Sequence, residues 1–178
     1  LLIAVLCLPL VARSQNLNIN SNLLYDATAT INLGIEARLG DKFTLQVPLN
    51  YNPWEFGDTY WKHFLVQPEL RYWFCRSFNG SFVGAHVHFA SFNVGNIDFI
   101  DKLENHRYQG ELYGAGLSYG YQWILNDKWS LEATAGAGYA RINYKRYPTG
   151  CCGVGSDRLN HDYWGLTKLG LTLVFFIY

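Results

Sequence analysis

Tyr113-Gly-Ala-Gly-Leu-Ser-Tyr-Gly-Tyr-Gln-Trp123 decides the fold: the bulk falls on every second residue. Tyr113, Ala115, Leu117, Tyr119, Tyr121 and Trp123 share one face, and Gly114, Gly116, Ser118, Gly120 and Gln122 share the other. A helix would scatter that bulk around its axis. A pleated strand, whose side chains alternate, sorts it into an apolar face and a small or polar one.

The next segment repeats the pattern. After the turn signal Asn126-Asp127-Lys128, Trp129, Leu131, Ala133, Ala135, Ala137 and Tyr139 alternate with Ser130, Glu132, Thr134, Gly136 and Gly138. Working outward, the same rhythm covers 31–39, 43–51, 64–74, 83–90 and 168–177, with Gly40-Asp41-Lys42 as a tight hairpin turn. A weaker stretch, Leu17 to Tyr25, brings the expected number of strands to eight. The fold expected is an all-β, eight-stranded antiparallel up-and-down barrel.

Composition agrees. The chain has 178 residues with 13 Tyr, 11 Phe, 6 Trp and 17 Gly, a mixture that favours pleated surfaces over helices. Lys+Arg and Asp+Glu both number 14, so no net field recruits nucleic acid. Mean hydropathy is −0.05, unlike a helical membrane protein. The strongly apolar run is Leu1 to Ala12, shorter than the ~20 residues a spanning helix needs. With Ala12-Arg13-Ser14 behind it, it reads as residues 1–14 of an N-terminally truncated signal peptide, leaving 15–178 as the barrel domain. Cys7 raises a lipoprotein signal as the competing reading, but it sits early and follows the large Leu6.

Alternation does not say which face looks outward. A lipocalin-like barrel buries its apolar face, and a membrane barrel shows it to lipid. The apolar faces carry more bulk than a narrow eight-stranded interior holds. Tyr25, Tyr51, Tyr72, Trp123, Trp129 and Tyr139 lie near strand ends, where interfacial aromatic girdles belong. Short connections (40–42, 75–81, 126–128) alternate with longer polar ones (52–62, 94–110, 148–162), as expected of periplasmic turns and extracellular loops. The expected location is the outer membrane of a Gram-negative bacterium, with membrane lipid and the barrel-assembly machinery as partners.

The last strand, Lys168-Leu-Gly170-Leu-Thr-Leu173-Val-Phe175, followed by Phe176-Ile-Tyr178, resembles the C-terminal assembly signal of outer-membrane barrels. Asn22-Leu-Leu-Tyr-Asp26, Tyr51-Asn-Pro-Trp54, Trp61-Lys-His-Phe-Leu-Val-Gln-Pro-Glu-Leu-Arg-Tyr-Trp73 and residues 113–123 resemble the DUF3575 family of uncharacterised Bacteroidota envelope proteins, from about Asn20 to the end. The resemblance implies an outer-membrane setting and association with surface structures such as fimbriae. It supplies no catalytic residues.

Glu36, Arg38, Glu69, Arg71, His86, His88, Glu132 and Lys168 fall on the lumen face. Three carboxylates against three Lys/Arg cations suit a closed ion-pair network, because buried charges persist only when paired. The rival reading is a narrow gated pore or small-ligand conduit. His86 and His88, two apart on one face, are weak candidates for a metal site completed by Glu132 or Glu69, against plain hydrogen-bonded histidines. His63, Asp98, Asp101, Glu104, His106, Ser156, His161 and Asp162 lie on or near the outer loops, but without a nucleophile motif. An enzyme acting on lipid or peptide is therefore a secondary alternative, and no catalytic residue or cofactor is assigned.

Cys75 lies in a short turn and the adjacent Cys151 and Cys152 in a long loop, so a bridge between them is not expected. Consecutive Cα atoms stand ~3.8 Å apart, below the usual disulfide span, so free thiols or a vicinal disulfide stay open. The function expected is a non-enzymatic barrel that presents surface loops in a structural or accessory role.

Overall fold

The computed structural model describes residues 17–56, 59–95, 106–148 and 159–177. The elements are β1 (Leu17–Asn22), α1 (Leu23–Ala27), β2 (Ile31–Arg38), β3 (Phe43–Asn52), β4 (Glu55–Phe56), β5 (Thr59–Val66), β6 (Glu69–Trp73), β7 (Gly80–Gly95), β8 (His106–Ile124), β9 (Trp129–Pro148) and β10 (Leu159–Ile177). Each strand pairs antiparallel with its neighbours, and β1 pairs with both β2 and β10, so the sheet closes on itself.

β5 and β6 are two halves of one wall strand. Leu49↔Val66 and Gln46↔Glu69 keep the same register against β3, and the ladder breaks only around Pro68, which has no N–H to give. Counted so, the wall has eight strands, and β4 is an extra strand hydrogen-bonded to β5. Among the described residues no helix is long and apolar enough to cross a membrane, which says nothing of strands.

Turn chemistry fixes the short connections. Leu39 and Gly40 both donate their amides to Phe43 O across the β2–β3 turn. Between β8 and β9, the Asn126 carboxamide oxygen accepts from the amides of Lys128 (2.9 Å) and Trp129 (3.0 Å), a side-chain imitation of a backbone turn. The β6–β7 turn is less ordinary. Phe78 has φ +68°, a left-handed conformation costly for a bulky residue. That bend tucks its ring under the lumen, against Trp73 and Phe176.

The faces divide as alternation requires. Outward lie exposed apolar residues on the wall strands from β2 to β10, including Leu33, Val47, Leu70, Val87, Leu117 and Leu169, with the less exposed Leu17 and Ile19 of β1 on the same face. Aromatics bound this band: Tyr121, Trp123, Trp129 and Phe175 near one end, and Tyr51, Phe89, Tyr113 and Trp164 near the other. Trp123 to Tyr113 and Trp129 to Tyr139 are each ten residues. At ~3.3 Å rise and ~40° tilt, that span is about 25 Å tall.

Two expectations need correction. The first strand ends at Asn22, not Tyr25: the Asn22 side chain accepts from Leu24 N and caps α1, so Tyr25 sits on that helical turn. The outer connections are shorter than 52–62, 94–110 and 148–162, because β5, β8 and β10 begin inside them. β10 alternates over 168–177 as expected, and an irregularity lies just before that stretch. Its register against β9 shifts between Leu166 and Lys168, a bulge that turns both Thr167 and Lys168 inward while Leu166 and Leu169 stay outside.

Candidate functional site

Below its mouth the lumen is occupied by side chains from every wall strand, and its centre is Arg71 on β6. The guanidinium is fully buried and donates to both oxygens of Glu132 on β9 at 2.9 Å. It also lies 3.2 Å from Glu36 on β2 and 3.3 Å from Glu69, and donates to Gln46 Oε1 on β3 at 2.6 Å. Beneath it, the Phe82 ring of β7 lies 4.4 Å from the guanidinium carbon, a cation–π contact. Lys168 of β10, aimed inward by the bulge, pairs with Glu69 and donates to Gln46 Oε1 at 3.2 Å.

Every carboxylate has further donors. Thr44 (2.6 Å) and Asn18 (3.2 Å) hold Glu36, Thr134 (2.8 Å) holds Glu132, and Ser118 holds Glu69. Gly84 and Gly116 make the space: a Cβ on Gly84 would collide with the Glu69 carboxylate, and one on Gly116 would lie 2.7 Å from His86 Nε2.

Towards the short-turn end the charge gives way to an apolar stopper of Trp73, Phe78, Phe82, Val174 and Phe176. Trp73 Nε1 donates to Thr44 Oγ1 at 2.9 Å, tying the stopper to the charged layer. In the opposite direction stand His86 and His88, ring centroids 5.7 Å apart. His86 Nε2 is 3.0 Å from Thr167 Oγ1, and both Nδ1 atoms are buried without a hydrogen-bond partner. Above them the mouth widens into a cavity of about 580 Å³ centred on Asn52, His63, Phe92, Gly110 and Tyr144.

The structure thus brings together Glu36, Glu69, Arg71, Glu132 and Lys168 but leaves out Arg38. Arg38 is the last residue of β2, opposite Thr44, and its Nε is buried with no hydrogen-bond partner. His86 and His88 gain no third ligand: among the described residues no group of three or more His, Cys, Asp or Glu side chains is placed to hold a metal ion. His63 and Asp162 do not meet: His63 lines the mouth cavity, whereas Asp162 shares the outward face of Trp164 and Leu166. His106, His161 and Asp162 lie on strands, and Asp162 accepts from Tyr139 Oη at 2.7 Å.

Gly170, Leu173 and Phe175 lie on β10, the strand that closes the barrel. Cys75 is exposed and free. Residues 1–14, Asp98, Asp101, Glu104, Cys151, Cys152, Ser156 and Tyr178 lie outside the described residues.

The alternation did not single out Gln46, Thr44, Asn18, Ser118 and Thr134. Each lies on the face of its own strand opposite the bulky apolar residues, which is the signal that finds them.

Fold and site together define a closed antiparallel barrel with an apolar outer band and a charge-paired, aromatic-stoppered lumen. The family model described as a protein of unknown function, DUF3575, matches residues 1–177, and the chain belongs to that family. Among curated proteins, none matches the chain.

Proposed function

We propose that this chain is an outer-membrane protein whose barrel anchors outer strands and loops at the cell surface, in a non-enzymatic structural or accessory role in the envelope. The observation that carries the reading is the outward band, about 25 Å tall between aromatic girdles, which matches the hydrocarbon layer of an outer membrane. A soluble barrel would leave that band in water, including Leu117 at 70% exposed, in a patch far larger than soluble proteins tolerate.

The filled lumen supports an anchor over a pore. A conducting path would have to undo both the Arg71–Glu132 pair and the Trp73–Phe78–Phe176 stopper, two barriers of opposite chemistry. The raised outer halves of β7 to β10 are where contact with fimbrial or other envelope proteins would take place.

The test is reconstitution into vesicles and planar bilayers. The anchor reading expects protease-protected strands and a silent current trace. Discrete openings would replace it with the gated-pore reading, and full protease sensitivity in vesicles would refute insertion.

A further inference from the structure

The wall of the barrel is uneven in a way that leaves a long sheet edge open. β10 bonds to β9 along nearly its whole length, yet on its other side β1 meets it only from Thr172 to Ile177. The ladder stops at a defined place. The Asn22 side chain donates to Leu169 O and accepts from Leu171 N, both at 3.2 Å, standing in for one more strand residue before the chain turns into α1. Beyond that point, Leu159 to Lys168 have no strand partner on this side among the described residues. By the alternation of the ladder, the amides of Asn160, Asp162, Trp164 and Leu166 and the carbonyls of the first three face the open edge, while Leu166 O accepts from Tyr163 Oη at 3.4 Å.

The opposite flank of the same raised sheet is finished differently. β5 covers β7 as far as Gly95, and β4 in turn pairs with β5. Edges left open in water are normally blunted by proline, charge or brevity. This one is ten residues long with no proline, and its one acidic residue, Asp162, is engaged by Tyr139 Oη at 2.7 Å; beside it stands Trp164, 77% exposed, the kind of large amphipathic side chain that anchors interfaces.

We propose that the upper edge of β10 receives an extended segment of another polypeptide, which continues β1's course as an additional antiparallel strand against Asn160–Leu166. The edge selects its occupant by chemistry. Alternating N–H and C=O groups at strand spacing are complementary to another extended backbone, and acyl chains supply neither donors nor acceptors. A second copy of the chain does not fit. Copies in one bilayer point the same way, so a two-fold axis along the membrane normal sets each edge group against its own twin instead of its complement. That exclusion rests on the membrane reading above; the open edge itself does not.

The probe is a synthetic peptide copying residues 137–145, the stretch of β9 that already pairs antiparallel with this part of β10. It is added to the full chain in detergent micelles, and amide exchange is followed residue by residue. In the free protein the amides of Asp162 and Trp164 exchange fast while those facing β9 are protected; saturating peptide slows the edge amides about tenfold or more. A peptide N-methylated at alternate amides has no effect. Asp162→Pro removes an edge-facing donor that the β9 ladder does not use and abolishes binding, while Asp162→Ala, which keeps the N–H, binds normally.

The proposal is overturned if the edge amides are already protected in the free chain, if the peptide binds without slowing them, or if Asp162→Pro binds like the parent. Because exchange in micelles reads the edge alone, its failure is distinct from failure of insertion into vesicles.

Discussion

Replacing Arg71 with methionine keeps most of the stem's volume and removes the one cation shared by three carboxylates. Glu69 retains Lys168, whereas Glu36 and Glu132 lose the ion-pair partner the described residues give them. Each lost charge-assisted hydrogen bond is worth about 1.5–3 kcal/mol. The bonds from Asn18, Thr44 and Thr134 survive, so the separate losses do not simply add. Breaking a buried pair by removing one partner costs about 3–5 kcal/mol, which is the expected destabilisation. At a urea slope of about 2 kcal/mol per M, the unfolding midpoint falls by roughly 2 M.

The triple variant Arg71→Met, Glu36→Gln, Glu132→Gln carries the argument further. If the cost lies in orphaned charge, neutralising the two orphans recovers most of it. Tryptophan fluorescence during urea unfolding in micelles measures both, with Trp73 directly against the charged layer. An Arg71→Met midpoint indistinguishable from the parent, or a triple variant no more stable than the single one, would refute the network as a source of stability.

Phe78→Ala should cost about 3 kcal/mol, the scale of a buried aromatic truncation, and shift Trp73 emission to the red as water enters the stopper; unchanged emission would argue against that packing. Gly84→Val should destabilise by at least about 1–3 kcal/mol because its side chain meets Glu69 and Ser118, whereas Gly40→Ala, with nothing near its Cβ, should be close to neutral in the same melt. Leu117→Arg, in the middle of the outer band, should cost about 2–4 kcal/mol in bilayers, against nearly nothing for Glu111→Arg beyond the girdle; equal effects would contradict the membrane reading.

The barrel was readable because its two faces differ in chemistry between the girdles, and period-2 contrast is all a half-buried strand needs to announce itself. Above the girdles that contrast fades. Ser91 and Asn93 on β7, Gln109 and Glu111 on β8, and Asn143 and Lys145 on β9 are polar residues on strands, and no period-2 contrast marks them. The five-residue α1 is too short to carry a helical period. The Leu166–Lys168 bulge is a relation between two strands, so no single strand's pattern contains it.

For the site, alternation put the charged residues inside but not at the same height. Glu36 and Arg38 share a strand and a face, yet only Glu36 reaches Arg71, because Arg38 lies two residues nearer the end of β2. Height depends on stagger around the barrel, which follows from pairing register and not from composition.

The contacts of Arg71 and its carboxylates also draw on every wall strand: Asn18 on β1, Glu36 on β2, Gln46 on β3, Glu69 on β6, Phe82 on β7, Ser118 on β8, Glu132 on β9 and Lys168 on β10. A sheet that closed one hairpin early, or a chain cut short of its last strand, would leave a carboxylate or the guanidinium without its counterpart inside the barrel. The charged layer therefore works as an assembly check. It is satisfied only when all eight strands stand in their proper places, so barrels of the wrong circumference are disfavoured before they are finished.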